Sequence, residues 1–314
     1  MNRKLKVAVT ETVNAYRAMP ERADGIPALA SRLEEIRQAN VAHHLRLIEA
    51  AAQLGVRAIG LGELFPAPYF ALSKDPLWLA MAEDAEEGPT VRALAAAARK
   101  HALVICAPIY ELDRSNGKRF NAAVMIDADG AVLGRYRKMH IPEGENEQGR
   151  FLEPFYYGAS DRSIERYNRT AKNTSTNPFF PVFQTAYLKV GVSICYDRHF
   201  EGVIRSLAAG GAELVFSPAV TFGAKSERMW QLEFEVDAAR HNVFIAGSNR
   251  KGVEPPWNQP YFGASHLVGP NGRVALEPAP EGLVVGTLDL DALSGADPSG
   301  WKLQRDRRPG DYTP

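Results

Sequence analysis

The feature that most restricts how this chain can fold is an order of elements that occurs twice. A short β-rich run at residues 4–11 leads into a long helical pattern, rich in Ala, Leu, Glu and Arg, at about 28–54, and VRAIGLGE at 56–63 then reads as a compact strand. A second helix opens near Pro89 and Thr90, where proline suits a first turn, and ALVICAPIY at 102–110 follows as a buried strand. NAAVMIDADGAVLGRYRK at 121–138 has apolar runs on either side of an Asp-Ala-Asp-Gly turn and predicts a hairpin. From Tyr187 the order returns as strand YLKVGVSI, a helix from about Phe200 to Ala209, strand AELVFSPA, a helix from Ser226 to about His241, strand VFIAGSN, and hairpin GASHLVGPNGRVALEP. Two copies of one pattern predict a single α/β domain over residues 1–314, with two pseudo-symmetric halves and helices covering a face of each sheet. Two stretches depart from it: the polar segment at about 144–181, whose core at 158–180 is too long for a plain connection and reads as an ordered functional insertion, and a C-terminal tail at about 295–314.

Charge excludes several partner classes. The 37 Lys and Arg balance the 37 Asp and Glu, so the chain lacks the electrostatic footprint of a nucleic-acid binder or a polybasic membrane protein. Arg305, Arg307 and Arg308 cluster in the tail, but Asp306 lies among them and a solvated segment is the expectation. No window holds 18 uninterrupted apolar residues, and the N-terminus passes from charged residues straight into a short apolar run. Neither a membrane span nor a secretory signal is therefore expected. Two cysteines, Cys106 and Cys195, cannot build a disulfide framework, so a reduced, cytoplasmic setting is expected and the sequons at Asn168 and Asn173 are silent.

Three residues at strand ends could carry chemistry. Cys195 closes an apolar strand shortly before a helix, where backbone N–H groups favour a thiolate and a developing oxyanion; the alternative is a buried small hydrophobe, which is also the expectation for Cys106. Glu63 is carried into the aromatic, proline-rich LFPAPYF, as a general base or acid, or else as a turn cap or arginine partner. Lys138 leaves the first hairpin, as a site cation or a solvated edge residue. Together they gain weight, because open α/β sheets gather ligands at the carboxyl ends of their strands. The seven histidines include no H-E-x-x-H and the cysteines no C-x-x-C, so no metal is expected; Gly60 and Gly62 begin a G-x-G, but Phe65 stands where a dinucleotide fingerprint needs glycine. A Cys–His hydrolase stays open, with His140, His199 or His266 as partner.

With GELFPAPYF around Glu63, YRKMHIPE around Lys138 and GVSICYDRHFE around Cys195, the chain resembles the nitrilase superfamily of carbon–nitrogen hydrolases, and among them the β-ureidopropionases and other N-carbamoyl-amino-acid amidohydrolases. AEDAEEGPT at 82–90, PVFQT at 181–185 and FGASH at 262–266 extend the likeness over nearly the whole chain. The resemblance implies a four-layer αββα sandwich, no cofactor, a homodimer or larger homo-oligomer, and a catalytic triad of Glu63, Lys138 and Cys195. It implies a second functional glutamate before a pair of aromatics; FLEPFYY points to Glu153, although Glu143, Glu145 and Glu147 lie nearer Lys138 in sequence. Arg198, three residues after the cysteine, is expected to hold a substrate carboxylate, with Tyr196, His140 and Tyr69 as further substrate contacts. The activity implied is hydrolysis of a small ureido or amide substrate, with N-carbamoyl-β-alanine favoured; amidase, nitrilase and N-carbamoylputrescine amidase would use the same triad. A non-catalytic binding protein of the same fold remains the distant alternative.

Overall fold

The computed structural model describes residues 3–295 and 297–311. Its first half supplies β1 (Lys4–Thr10), β2 (Ala58–Gly60), β3 (Val104–Asp113), β4 (Lys118–Ile126) and β5 (Val132–Arg137), with helices α1 (Leu33–Gln53) and α2 (Pro89–His101). The middle of the chain forms a hairpin of β6 (Glu143–Asn146) and β7 (Gly149–Leu152), then the single turn α3 (Glu165–Asn168). The second half holds β8 (Phe183–Gln184), β9 (Lys189–Val192), β10 (Leu214–Pro218) and β11 (Phe244–Ser248), with helices α4 (Glu201–Ala209) and α5 (Ala224–His241). The hairpin of β12 (Lys251–Glu254) and β13 (Gln259–Phe262) follows, then β14 (His266–Gly269), β15 (Gly272–Arg273), β16 (Leu276–Glu277) and β17 (Leu283–Asp289).

One sheet runs β16-β17-β1-β2-β3-β4-β5 and the other β15-β14-β11-β10-β9-β8. The two obey one rule. In the first, β1, β2 and β3 are parallel, β4 and β5 return antiparallel, and β17 lies antiparallel on the outer side of β1. In the second, β9, β10 and β11 are parallel, β14 and β15 return antiparallel, and β8 lies antiparallel on β9. Strand alternation divides the core: Val7 and Val9 face the second sheet, packing in one cluster with Val190, Phe216 and Ile245, while Ala8 faces Ile48, Ile59 and Leu94 beneath the helices. Ile36, Val41, Leu47, Ile48 and Ala51 give α1 its buried apolar stripe, with His44 buried among them. Trp230 and Phe234 of α5 and Leu207 of α4 cover the outer face of the second sheet. The layers are therefore α1/α2, sheet, sheet, α4/α5, an αββα sandwich. Its two sheets meet so closely that a Cβ on Gly60 would stand 2.5 Å from the Phe216 ring.

Several boundaries differ from the sequence reading. The first long helix begins at Leu33, because Pro27 and its neighbours form a 3-10 turn over Ala23–Leu29. The hairpin expected at 263–278 is divided between layers: β14 and β15 stay in the second sheet, and Leu276–Glu277 crosses to pair with β17 in the first. The insertion packs on the β5 edge. Asn168 is buried there; its Nδ2 donates to Arg135 O at 2.9 Å and its Oδ1 accepts from Arg135 N at 3.1 Å, so one side chain takes the place of a further strand. Gly134, at φ +148°, gives it room, since a Cβ would come within 2.7 Å of that Oδ1. Among the described residues no helix is long and apolar enough to cross a membrane.

Candidate active site

The side chains singled out at the strand ends converge. Lys138 directly follows β5, and its Nζ donates to Glu63 Oε1 at 3.0 Å and to Glu153 Oε2 at 2.7 Å. Glu153 comes from the turn after β7 and its other oxygen accepts from Tyr69 Oη at 2.9 Å. Of the four glutamates after Lys138, Glu153 alone reaches the ammonium: Glu143 pairs with Lys74, Glu145 with Arg150, and Glu147 accepts from Ala224 N. Glu63 Oε1 also accepts from Asn121 Nδ2 at 2.7 Å, and its Oε2 from Val220 N at 2.6 Å. The Cys195 thiol donates to Val220 O at 3.6 Å. Thiol and carboxylate therefore meet at one residue of the chain after β10. All four side chains are buried, Cys195 being 7% exposed.

Burial sets the charge states. It pushes the Cys195 thiol up to about 12, aided by the Glu63 carboxylate and opposed by Lys138 and Arg198. The turn is expected from sequence to favour a thiolate; instead Cys195 starts a 3-10 turn, α4 begins only at Glu201, and desolvation is the largest influence on the thiol. To act as a nucleophile, such a thiol needs a base beside it. For Lys138, burial disfavours the ammonium, yet Glu153, Glu63 and Cys195 outweigh it and hold the group charged. Burial lifts the Glu153 carboxyl despite Lys138, and it raises the Tyr69 and Tyr157 hydroxyls well above the usual range.

Backbone strain marks the same places. Cys195 has φ +52° and Leu64, next to Glu63, has φ +51°, a region that costs a non-glycine residue about 1–2 kcal/mol. Each is braced by a buried ion. Arg250, paired with Glu254, donates to the carbonyls of Glu63, Leu64 and Ala67. Asp197 accepts from Ile194 N at 3.1 Å, from Tyr136 Oη at 2.6 Å and from His140 N at 3.0 Å, tying the Cys195 turn to the segment that carries Lys138.

The expected substrate contacts divide. Arg198 is buried beside the Cys195 thiol: Nη1 lies 3.9 Å from Cys195 Sγ and donates to Cys195 O at 2.8 Å, Nη2 donates to Thr221 Oγ1 at 3.3 Å, and Nε pairs with Glu233 at 3.2 Å. Tyr69 reaches the site through Glu153. The Tyr196 side chain is 37% exposed and packs edge-on to His199 and Phe200, so only its backbone can face the reacting atoms. His140 is spent on Asp197 Oδ1 at 2.7 Å and stacks on Phe200 at 3.6 Å. His199 Nδ1 pairs with Glu233 and His266 Nδ1 with Ala264 O, while the hydrogen-bond partners of the thiol are Val220 O and Arg198 Nη1, with no histidine among them. Sequence reading missed Asn121, Val220, Thr221, Glu233, Arg250 and Glu254. Asn121 left one signal, a strand-averse amide opening an otherwise apolar run. Among the described residues no cluster of three His, Cys, Asp or Glu side chains is arranged to hold a metal ion.

A sandwich of two sheets with a thiol, two carboxylates and an ammonium buried at its strand ends is equipped for acyl transfer. The carbon-nitrogen hydrolase family matches residues 30–296, and the chain belongs to that family, within the nitrilase superfamily. It is similar to the N-carbamoylputrescine amidase of Solanum tuberosum, 32% identical over 87% of this chain and 88% of that one. It is also similar to the beta-ureidopropionase of Arabidopsis thaliana, 30% identical over 78% of this chain and 59% of that one. In fold it is similar to a carbon-nitrogen hydrolase from Helicobacter pylori G27, with a TM-score of 0.78 over 99% of this chain and 97% of that one, at 24% identity.

Proposed function

We propose that this hydrolase cleaves the carbamoyl group of an N-carbamoyl amino acid, N-carbamoyl-β-alanine being the favoured substrate, to amino acid, CO2 and ammonia. Glu63 takes the Cys195 proton, and the thiolate attacks the carbamoyl carbon. Lys138 Nζ has three donors, two of them spent on Glu63 and Glu153, so the third is left for the developing oxyanion, beside the Tyr196 backbone N–H. Glu63 returns the proton to the departing amine or ammonia as the C–N bond breaks. It then takes a proton from water, which attacks the thiocarbamate carbonyl; the C–S bond breaks, the proton passes from Glu63 to Cys195, and the carbamic acid released breaks down to CO2 and the remaining nitrogen product. Glu153 holds Lys138 in place.

The observation that carries the choice of substrate is the buried Arg198 guanidinium 3.9 Å from the nucleophile. Beyond its bonds to Cys195 O and Thr221 Oγ1, Nη2 keeps one N–H and Nη1 has one aimed at Cys195 Sγ by a long 3.9 Å contact, and these two can turn to a carboxylate by parallel hydrogen bonds. A second reading, N-carbamoylputrescine, draws support from the potato relative and from Glu233, which balances the arginine charge. A diamine offers the guanidinium only a second cation, which favours the ureido acid.

Ammonia release from N-carbamoyl-β-alanine, N-carbamoyl-α-amino acids of both hands, N-carbamoylputrescine, a simple amide and a nitrile, with Cys195→Ala as blank, tests both readings. Turnover confined to the ureido acids supports the first; preference for the diamine, amide or nitrile discards it and keeps the triad.

A further inference from the structure

Asn121 bonds to both Glu63 and Lys138. Its main-chain carbonyl accepts from Lys138 N at 2.8 Å, and its side-chain Nδ2 donates to Glu63 Oε1 at 2.7 Å. We propose that Asn121 is a positioning residue of the reaction: it sets the separation of Glu63 and Lys138 and, by occupying Oε1, leaves Oε2 as the oxygen that takes the Cys195 proton. This rests on the triad reading above.

The lone pairs of Glu63 support it. A carboxylate offers about four acceptor positions. Oε1 accepts from Lys138 and Asn121, and Oε2 accepts from Val220 N. One position remains, on Oε2, and Val220 is also where the thiol rests, through its donation to Val220 O. Without the Asn121 amide, Oε1 would hold a second free position on the side of Lys138, where a proton would weaken the ammonium's hold on the base.

The orientation of Asn121 fits this role better than a scaffolding one. A carboxylate accepts only, so Nδ2 must face Glu63, and Oδ1 is left buried without a partner in the protein. Nδ2 has one further neighbour, Tyr157 Oη at 3.4 Å. The rest of β4 beyond Asn121 is fully buried and apolar, so the amide is the polar exception at the end of this run and carries an orphaned acceptor there. An amide placed there for structure alone carries a cost that an apolar side chain avoids.

The test is steady-state kinetics on full-length Asn121→Leu and Asn121→Asp beside Glu63→Gln, with thermal unfolding as the folding control. The probe is N-carbamoyl-β-alanine, or the faster substrate from the panel above. Loss of one hydrogen bond to a charged group lowers kcat about 10- to 100-fold in Asn121→Leu, with KM held within about threefold, because Asn121 acts through the Glu63 carboxylate and the Lys138 main chain. Asn121→Asp loses more, since it sets a like charge against Glu63. A folded Asn121→Leu with kcat within about threefold of the parent, or a loss confined to KM, overturns the proposal. Should the leucine variant fail to fold, the nearly isosteric aspartate decides by the same criteria. Retained kcat in the Asn121 variants beside an inactive Glu63→Gln removes Asn121 alone; retained kcat in Glu63→Gln removes the triad reading under it.

Discussion

Two buried ion clusters meet at the end of β5, one built on the strand and one on the residue that follows it, and they are built to opposite ends. Arg135 and Arg137 share one face of the strand and point to Glu111, which accepts from Arg135 Nη1 at 2.7 Å and Arg137 Nε at 2.6 Å. Asp113 adds partners for Arg137 and for Arg166 of the insertion, and Phe120 and Tyr167 lie against the guanidinium faces. Lys138 falls on the other side and meets Glu63 and Glu153. In the first cluster planar, permanently charged forks tie down several acceptors at once, and the result braces the sheet edge and its insertion. In the second a compact ammonium keeps a donor in reserve, a carboxylate keeps a lone pair, and a neutral thiol stands beside them. Burial alone does not separate the two; the difference is what stands unspent, a single N–H at Arg135 Nε in the first cluster against a donor and a lone pair beside a thiol in the second.

That contrast can be broken by substitution. Cys195→Ala removes the nucleophile, and ammonia release should fall at least about a thousandfold while thermal unfolding is little changed. Glu111→Ala should do the reverse: two buried guanidiniums lose their shared partner, stability drops by about 3–5 kcal/mol in urea titration, and kcat of the remaining folded enzyme holds. A fall in kcat with unchanged stability there would merge the two clusters into one functional unit. Lys138→Ala should lower kcat on the order of 100-fold through the lost oxyanion donor, and near-normal turnover would remove the lysine from the mechanism. Arg198→Met should raise KM for a ureido acid by about tenfold or more and leave KM for a simple amide unchanged.

The state of the thiol offers a smaller, substrate-free check. With Cys195 held up to about 12, the neutral form dominates below that value, so alkylation by iodoacetamide should be slow at pH 7 and still rising at pH 10. A plateau near neutrality, read by mass spectrometry, would mean that the thiolate is already formed without a substrate.

Much of this was legible because it depends on local order. The repeated strand and helix pattern follows from side-chain periodicity along the chain, and Glu63, Lys138 and Cys195 stand out because each ends an element. The insertion was recognisable as a break in that pattern, but its docking on β5 through Asn168 was not, because nothing near Asn168 in sequence signals an open sheet edge. β17 escaped notice for a related reason: its partner, β1, lies at the other end of the chain.

The sequence by itself determined the two α/β halves, the family to which they belong and the residue types available for acyl transfer, since these rest on local pattern and composition. Tertiary structure alone decided that Lys138 meets Glu63 and Glu153 at once, that burial raises the Cys195 thiol, that His140 serves Asp197, and that Asn121 links the Glu63 carboxylate to the main chain of Lys138. Each of those outcomes turns on distance and desolvation between groups from different strands, quantities that exist only once the two sheets have closed on one another.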